Sequence, residues 1–296
     1  MKLRHFLDVD DLSAAELAEI LERSAEPAPP HVLEGRGVAL LFEKASARTR
    51  NSSEMAVVQL GGHPVTIRGD EVGFDVRETV EDITRTLACY HAAIGARVFR
   101  HTVLERMAAT SSVPVINLLS DAAHPCQVLA DLLTLKHEFG GLAGRRLAWV
   151  GDANNVCSSL LAGAALCGMD MTVAAPDGYG LADGVVARAE ERGIRVTTTT
   201  KPEAAVDGAD AVVTDVWTSM GQEAELAQRR ADFAGFTVDA ALMERAAPHA
   251  VFLHCLPAHR GEEVSADVVD GPQSRVWPEA ANRMHAMRGL LLWLFA

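Results

Sequence analysis

Gly37-Val38-Ala39-Leu40-Leu41-Phe42, followed by Glu43-Lys44-Ala45 and then Ser46-Ala47-Arg48-Thr49-Arg50, is the stretch whose reading decides the fold. Its first six residues form an apolar run too short for a helix and suited to a buried strand. Its last five set two guanidinium groups and two hydroxyls at the opening of a helical segment, 48–60. Backbone N–H groups and the positive end of a helix dipole would point the same way as those side chains. Two arginines there offer forks of donors to a phosphate or carboxylate. Taken alone, the same residues also suit a solvated helix start with surface salt bridges.

Outward from this unit the pattern repeats. Apolar runs at 63–68, 94–99 and 113–118 read as strands, with helices at 78–90 and 102–110 between them. Before them, Ser13-x-x-Glu16 and the apolar positions Leu17, Ile20 and Leu21 announce a first helix through a capping box. A long helix at about 125–138 begins with Pro125 in its first position and His124 as cap. Gly140-Gly141 then breaks the chain, which sets a domain boundary between 138 and 142. Beyond it the alternation restarts, with strands at 146–151, 171–175, 195–199, 211–216 and 250–255 and helices at 154–167, 182–192 and 202–207. Two helices are expected within 222–246, and a terminal one at 278–295. Strands alternating with helices require crossovers and a largely parallel sheet. The fold class is therefore α/β, as two consecutive open parallel-sheet α/β domains. Ligands in such sheets bind beyond the carboxyl ends of the strands.

Composition narrows the function. The 296 residues are 49% apolar and 23% charged, enough for two domains with cores. A formal net charge of −13 repels polyanions, so nucleic acid is not expected as a partner. The five cysteines, Cys89, Cys126, Cys157, Cys167 and Cys255, are odd in number and contain no C-x-x-C, as in a reducing compartment. Asp8, Asp10 and Asp11 interrupt any signal-peptide core, and the apolar tail 290–296 is too short to span a bilayer. A cytoplasmic protein without membrane association is expected.

The remaining polar clusters fall at expected strand ends. Arg97 stands near the end of the third strand, and His124 and Gln127 open the long helix on one face. Gly151-Asp152-Ala153-Asn154-Asn155 lacks the G-x-G-x-x-G glycines that bring backbone close to a pyrophosphate, which argues against a dinucleotide. Its two asparagines offer amides to a small polar ligand, or cap a turn. Asp215-Val216-Trp217-Thr218-Ser219-Met220-Gly221 supplies a carboxylate, hydroxyls and a glycine-relaxed backbone, and a carboxylate beside amide donors suits a zwitterionic amino acid. The last cluster is His254-Cys255-Leu256-Pro257. A zinc site of His254, Cys255 and His259 is conceivable, but its spacing fits no standard zinc pattern. A nucleophilic Cys255 paired with a histidine is the other alternative.

Together, S-A-R-T-R after F-E-K, then H-P-C-Q, G-D-A-N-N, D-V-W-T-S-M-G, H-C-L-P and a late N-R, in that order, closely resemble the ornithine carbamoyltransferases. S-x-R-T-R and H-P-x-Q are shared with aspartate carbamoyltransferases; S-M-G and H-C-L-P belong to the ornithine branch. The resemblance implies a homotrimer, or a multiple of trimers, of two-domain subunits. Carbamoyl phosphate would be held by residues 1–138 and L-ornithine by 142–277, with the terminal helix 278–296 returning to the first domain. By motif position, Ser46, Ala47, Arg48, Thr49 and Arg50 bind the phosphate, while Arg97, His124 and Gln127 bind the carbamoyl group. Asn155, Asp215, Ser219 and Met220 hold ornithine, and Cys255, Leu256 and Arg283 complete the reacting centre. Arg97, His124, Asp215 and Cys255 are the expected catalytic set, and the S-M-G loop with Gly221 is the expected lid.

Elementary chemistry agrees with that assignment. An amine attacking carbamoyl phosphate builds negative charge on the carbonyl oxygen and then on the departing phosphate, where cationic donors are wanted. Phosphate is already a good leaving group, so no metal or organic cofactor is expected. The alkyl amine is the harder problem: it titrates at about 10.4, so its neutral form near pH 7 costs roughly 4–5 kcal/mol. Asp215 and Cys255 are candidates for that deprotonation. Three positions depart from the family pattern: Ala47 replaces a threonine, Ala153 a glycine and Ala281 a glutamate. The segment 69–77 carries no lysine, where aspartate carbamoyltransferases send one into a neighbouring site.

Overall fold

The computed structural model describes residues 3–218 and 223–296. The chain divides into two compact units, Met1–Leu133 with Ala281–Ala296, and Thr134–Ala280.

In the first unit, β1 (Gly37–Phe42) hands over to α2 (Ala47–Gln59), and α1 (Ala14–Ser24) precedes both. Then come β2 (His63–Arg68), α3 (Gly69–Val72), α4 (Val80–Tyr90), β3 (His91–Arg97), α5 (His101–Thr110) and β4 (Val115–Leu119). The four strands run parallel in the order β2-β1-β3-β4. Buried residues Val38 to Phe42 make β1 almost continuously apolar, as a parallel strand covered on both faces requires. Side chains of Ala39, Leu41, Ile94, Ala96, Leu104 and Met107 share one core. The capping box at the start of α1 forms as expected: Ser13 Oγ accepts the Glu16 N–H, and the Glu16 carboxylate accepts the Ser13 N–H at 2.9 Å.

In the second unit, β5 (Arg146–Val150), α7 (Asn155–Cys167), β6 (Asp170–Ala174), α8 (Asp183–Glu191), β7 (Val196–Thr199), α9 (Pro202–Val206) and β8 (Ala211–Thr214) alternate. After α10 (Leu226–Asp232) and α11 (Ala240–Met243) come β9 (Val251–His254) and α12 (Ala266–Val269). The parallel order is β7-β6-β5-β8-β9. Two longer helices, α6 (Pro125–Phe139) and α13 (Val276–Leu294), each contribute residues to both units.

The C-terminal part of α13 belongs to the first unit, and its contacts explain why. Arg288 donates to the carbonyls of Ser24 at 2.9 Å and Glu26 at 2.7 Å, and to Gln59 Oε1 at 3.0 Å. The Ser24 carbonyl is among the unsatisfied acceptors that every helix end leaves. A Cβ at Gly289 would lie 2.6 Å from the Ile20 carbonyl oxygen, so only glycine lets α1 and α13 approach this closely.

Several boundaries differ from the sequence reading. β3 begins at His91, pairing with Gly37, and ends at Arg97, two residues short of the apolar run. β8 stops at Thr214 because the Asp215 carboxylate accepts the Val216 N–H at 2.8 Å and turns the chain. β9 stops at His254, with Leu256 in the left-handed region at φ 59°. The helices of 222–246 shrink to seven and four residues. The single turns α3 and α12 are too short to show a helical period.

Candidate active site

Each sheet order fixes where a ligand can lodge. From β1 the chain goes to β2 on one side and to β3 and β4 on the other, so the switch point lies between β1 and β3. In the second unit β5 is flanked by β6 and β8, which puts the switch between β5 and β8. The carboxyl ends of these strand pairs are where open α/β sheets open a crevice.

At the first switch point Ser46 caps α2, its Oγ accepting the Thr49 N–H at 3.2 Å. Arg97, at the end of β3, donates Nη1 to Ser46 Oγ at 3.2 Å and to Thr49 Oγ1 at 3.4 Å. Arg283, on α13, donates Nη2 to Thr49 Oγ1 at 2.8 Å and Nη1 to Gln127 Oε1. Gln127 in turn donates Nε2–H to Asp131 Oδ1 at 2.7 Å. Thr49, Arg97, His124, Gln127, Asp131 and Arg283 are all buried. Burial, and then the charges of Arg283, Arg97 and Arg48, push His124 well below the ordinary imidazole range. It is therefore a neutral hydrogen-bonding group near pH 7, among three guanidinium ions. The structure thus brings together Ser46, Arg48, Thr49, Arg97, His124, Gln127 and Arg283.

Arg50 stands differently. Its Nε donates to Glu54 Oε1 at 2.8 Å, and Thr66 Oγ1 donates to the same oxygen at 2.5 Å. It lines an open cavity of about 650 Å³ with Ser46, Ala47, Glu54, Thr66 and Arg68. Ala47 is the first residue of α2 and gives the cavity wall a methyl group.

At the second switch point Asn154 caps α7: its Oδ1 accepts the N–H groups of Val156 at 2.9 Å and Cys157 at 3.2 Å. The same side chain donates Nδ2–H to Asp215 Oδ2 at 2.8 Å. Asp215 Oδ1 also accepts from Cys255 Sγ at 3.1 Å. Asn155 follows as the first residue of α7. Gly151, at φ 125°, leaves β5 where a Cβ would lie 3.3 Å from Thr214 Oγ1, so glycine lets the two strand ends stay close. Ser219, Met220 and Gly221 lie outside the described residues.

The end of β9 is held from inside. His254 Nδ1 accepts the Leu256 N–H at 2.9 Å, so the ring proton sits on Nε2, which donates to Glu263 Oε1 at 3.1 Å. Glu263, fully buried, also accepts the His259 N–H at 2.6 Å. Both ring nitrogens of His254 are committed, so this histidine neither activates Cys255 as a base nor turns toward a metal. The conceived zinc set of His254, Cys255 and His259 does not assemble. Asp215, His254 and Cys255 form one close group and His259, Glu262 and Glu263 another, among the described residues. The thiol of Cys255 meets a carboxylate, which removes the reading of a histidine-activated nucleophile. Burial pushes Cys126 up to about 12 and Cys167 to about 11, so these thiols keep their protons. None of the five cysteines is in a disulfide.

Sequence reasoning missed four contributors. Asn154 was visible as an amide for a small ligand or as a cap but not as a partner of Asp215, and Asp131 only as a helix residue, although its spacing of four from Gln127 signals a shared helical face. Glu263 and Arg229 gave no local signal. Arg229 donates to Asp152 Oδ2 at 2.8 Å and to the Trp217 carbonyl at 2.9 Å, fixing the chain just beyond Asp215.

Fold and site define a two-unit parallel α/β protein that gathers guanidinium forks at one switch point and a buried carboxylate at the other. Family models match both halves: the carbamoyl-P binding domain of aspartate/ornithine carbamoyltransferases at residues 4–137, and the Asp/Orn binding domain at 143–294. The chain belongs to the aspartate/ornithine carbamoyltransferase family. It is 48% identical to an ornithine carbamoyltransferase of Rhodococcus opacus over 304 residues, covering 99% of this chain and 96% of that one. Another, of Acidothermus cellulolyticus, is 50% identical over 303 residues, again 99% of this chain and 96% of the relative. The crystal structure of ornithine carbamoyltransferase from Thermus thermophilus superposes with a TM-score of 0.90 at 45% identity, covering 98% of each chain. No helix among the described residues is long and apolar enough to cross a membrane.

Proposed function

We propose that this chain is an ornithine carbamoyltransferase, moving the carbamoyl group of carbamoyl phosphate to the side-chain amine of L-ornithine and releasing L-citrulline and phosphate. One observation carries the reading: Ser46, Thr49, Arg97, Gln127 and Arg283 are cross-bonded at a strand switch point in a chain that aligns end to end with enzymes of that name. In this reading residues 1–138 with 278–296 hold carbamoyl phosphate, and residues 142–277 hold ornithine. Ser46, Ala47, Arg48, Thr49 and Arg50 face the phosphate. Asn155, Asp215, Ser219 and Met220 face the amino acid, and Cys255 and Leu256 face the reacting carbon.

The chemistry follows from charge. The amine nitrogen attacks the carbamoyl carbon, the carbonyl oxygen gains negative charge, and the C–O bond to phosphate then breaks. Arg97 and the neutral His124 donate where that charge develops. Asp215, held by the Asn154 amide, the Val216 N–H and the Cys255 thiol, pairs with the incoming ammonium. A dry site disfavours the charged ammonium, whose proton passes to the Asp215 carboxylate; the second proton of the attacking nitrogen leaves with the departing phosphate. A cytoplasmic homotrimer serving arginine biosynthesis fits the same reading.

The test is a citrulline-forming assay with carbamoyl phosphate, offering ornithine, putrescine, N-acetylornithine and aspartate in parallel. Turnover with ornithine at least about 100-fold above the others is expected, because a ligand without the α-carboxylate leaves buried polar groups unpaired. Preference for any other acceptor overturns the assignment.

A further inference from the structure

The buried carboxylate of Asp131 has no part in the chemistry above, yet it fixes something that chemistry needs. Asp131 lies on α6 with 2% of its surface exposed, one helical turn after Gln127. A carboxylate only accepts hydrogen bonds, so the contact of 2.7 Å must be made by the amide nitrogen of Gln127. The amide oxygen is thereby turned the other way, where it accepts from Arg283 Nη1. Two independent partners, an obligate acceptor and an obligate donor, thus agree on one orientation of the amide.

We infer that Asp131 is a specificity-determining positioning residue: by orienting Gln127, it makes the anion site select a carbamoyl over an acyl phosphate. The inference rests on the carbamoyl phosphate reading of the site. A carbamoyl group differs from an acetyl group in carrying N–H donors where acetyl carries a methyl. An acceptor on the Arg283 side of Gln127 matches those donors; the flipped amide would present its own N–H₂ there and repel them. The phosphate end is common to both ligands and falls, in that reading, to other groups, Ser46, Arg48 and Thr49 among them. Selectivity at one end and affinity at the other are therefore separable.

Calorimetric binding to the full-length chain tests this with three ligands: carbamoyl phosphate, acetyl phosphate and inorganic phosphate. Wild-type protein is expected to prefer carbamoyl over acetyl phosphate. In Asp131→Asn and Asp131→Ser that preference should fall about tenfold, with affinity for inorganic phosphate kept within about twofold. Gln127→Met should lose the preference to the same degree, and Asp131→Asn added to it should change the ratio no further. A Gln127→Met background also decides the matter if single Asp131 variants fold poorly. Parallel weakening of all three ligands, or an unchanged ratio in a folded Asp131 variant, overturns the inference while leaving the anion site intact. Wild-type protein that binds phosphate but shows no carbamoyl preference overturns it as well. Protein that binds none of the three overturns the underlying reading of the site.

Discussion

The two switch points hold opposite charges by the same device. At the first, Arg97 and Arg283 donate to the neutral side chains of Ser46, Thr49 and Gln127. At the second, Asp215 accepts from an amide, a backbone N–H and a thiol, again all neutral. Other guanidinium groups are held by charges: Arg229 by Asp152 and Glu225, and Arg50, beside the first switch point, by Glu54. A side chain fixed by neutral partners keeps its field for a ligand; one fixed by a counter-ion has spent it on the fold.

The sharpest way to break the symmetry is at Asp215. Asp215→Asn keeps the shape of the group but removes its charge, and turnover is expected to fall by about 10³-fold or more, with carbamoyl phosphate affinity nearly unchanged. Cys255→Ala leaves the carboxylate and removes one neutral donor, so a smaller loss, about 10–100-fold, is expected, together with an altered pH profile of turnover. Steady-state kinetics from pH 6 to 10 on both variants measure this. Equal losses for the two, or an unaltered profile in Cys255→Ala, would remove the thiol from the proton path.

At the first switch point, forks in different company should behave differently. Arg97→Met removes a guanidinium placed by hydroxyls and should weaken carbamoyl phosphate binding about 100-fold. Arg50→Met removes one already paired with Glu54, half exposed at 52%, and should weaken it less than about fivefold. Titration calorimetry at two salt concentrations compares them. Losses of the same size would mean that Glu54 releases Arg50 to the ligand and that pairing in the free protein is a poor guide.

How much of this was legible beforehand follows from the range of the interactions. The strand-to-helix step from Phe42 to Ser46, the Ser13–Glu16 box and the Pro125 helix start are local, and the pattern alone places them. The register that starts β3 at His91 is set by pairing with Gly37, 54 positions upstream, and apolar content cannot show it. Arg97, His124 and Arg283 were found by motif, but only folding shows that Thr49 joins the first to the third. Arg229 acts on Asp152 across 77 residues, and Glu263 on His254 across 9, so neither leaves a periodic trace. Asn154 was readable as a cap and not as a support for Asp215, because its two roles use opposite ends of one amide.

The smallest expected effect concerns His124, a titratable group placed among the forks. Because burial and three guanidinium charges push its folded value well below the unfolded 6.5, the unfolded chain binds a proton that the native chain refuses as the pH falls. Stability therefore declines with decreasing pH below about 6.5, and the contribution vanishes above it. Between pH 7.5 and 5.5 this group alone should cost the wild type about 1 kcal/mol, equivalent to roughly 1–3 °C in Tm for a chain of this size. His124→Gln carries no such titration, so the difference in Tm between wild type and variant should shift by that amount in favour of the variant at the lower pH, whatever the substitution costs in packing. A Tm difference independent of pH from 7.5 to 5.5 would mean that His124 shares its surroundings with enough compensating negative charge to hold a proton, and the contrast between a cationic first switch point and an anionic second one would fail at its centre.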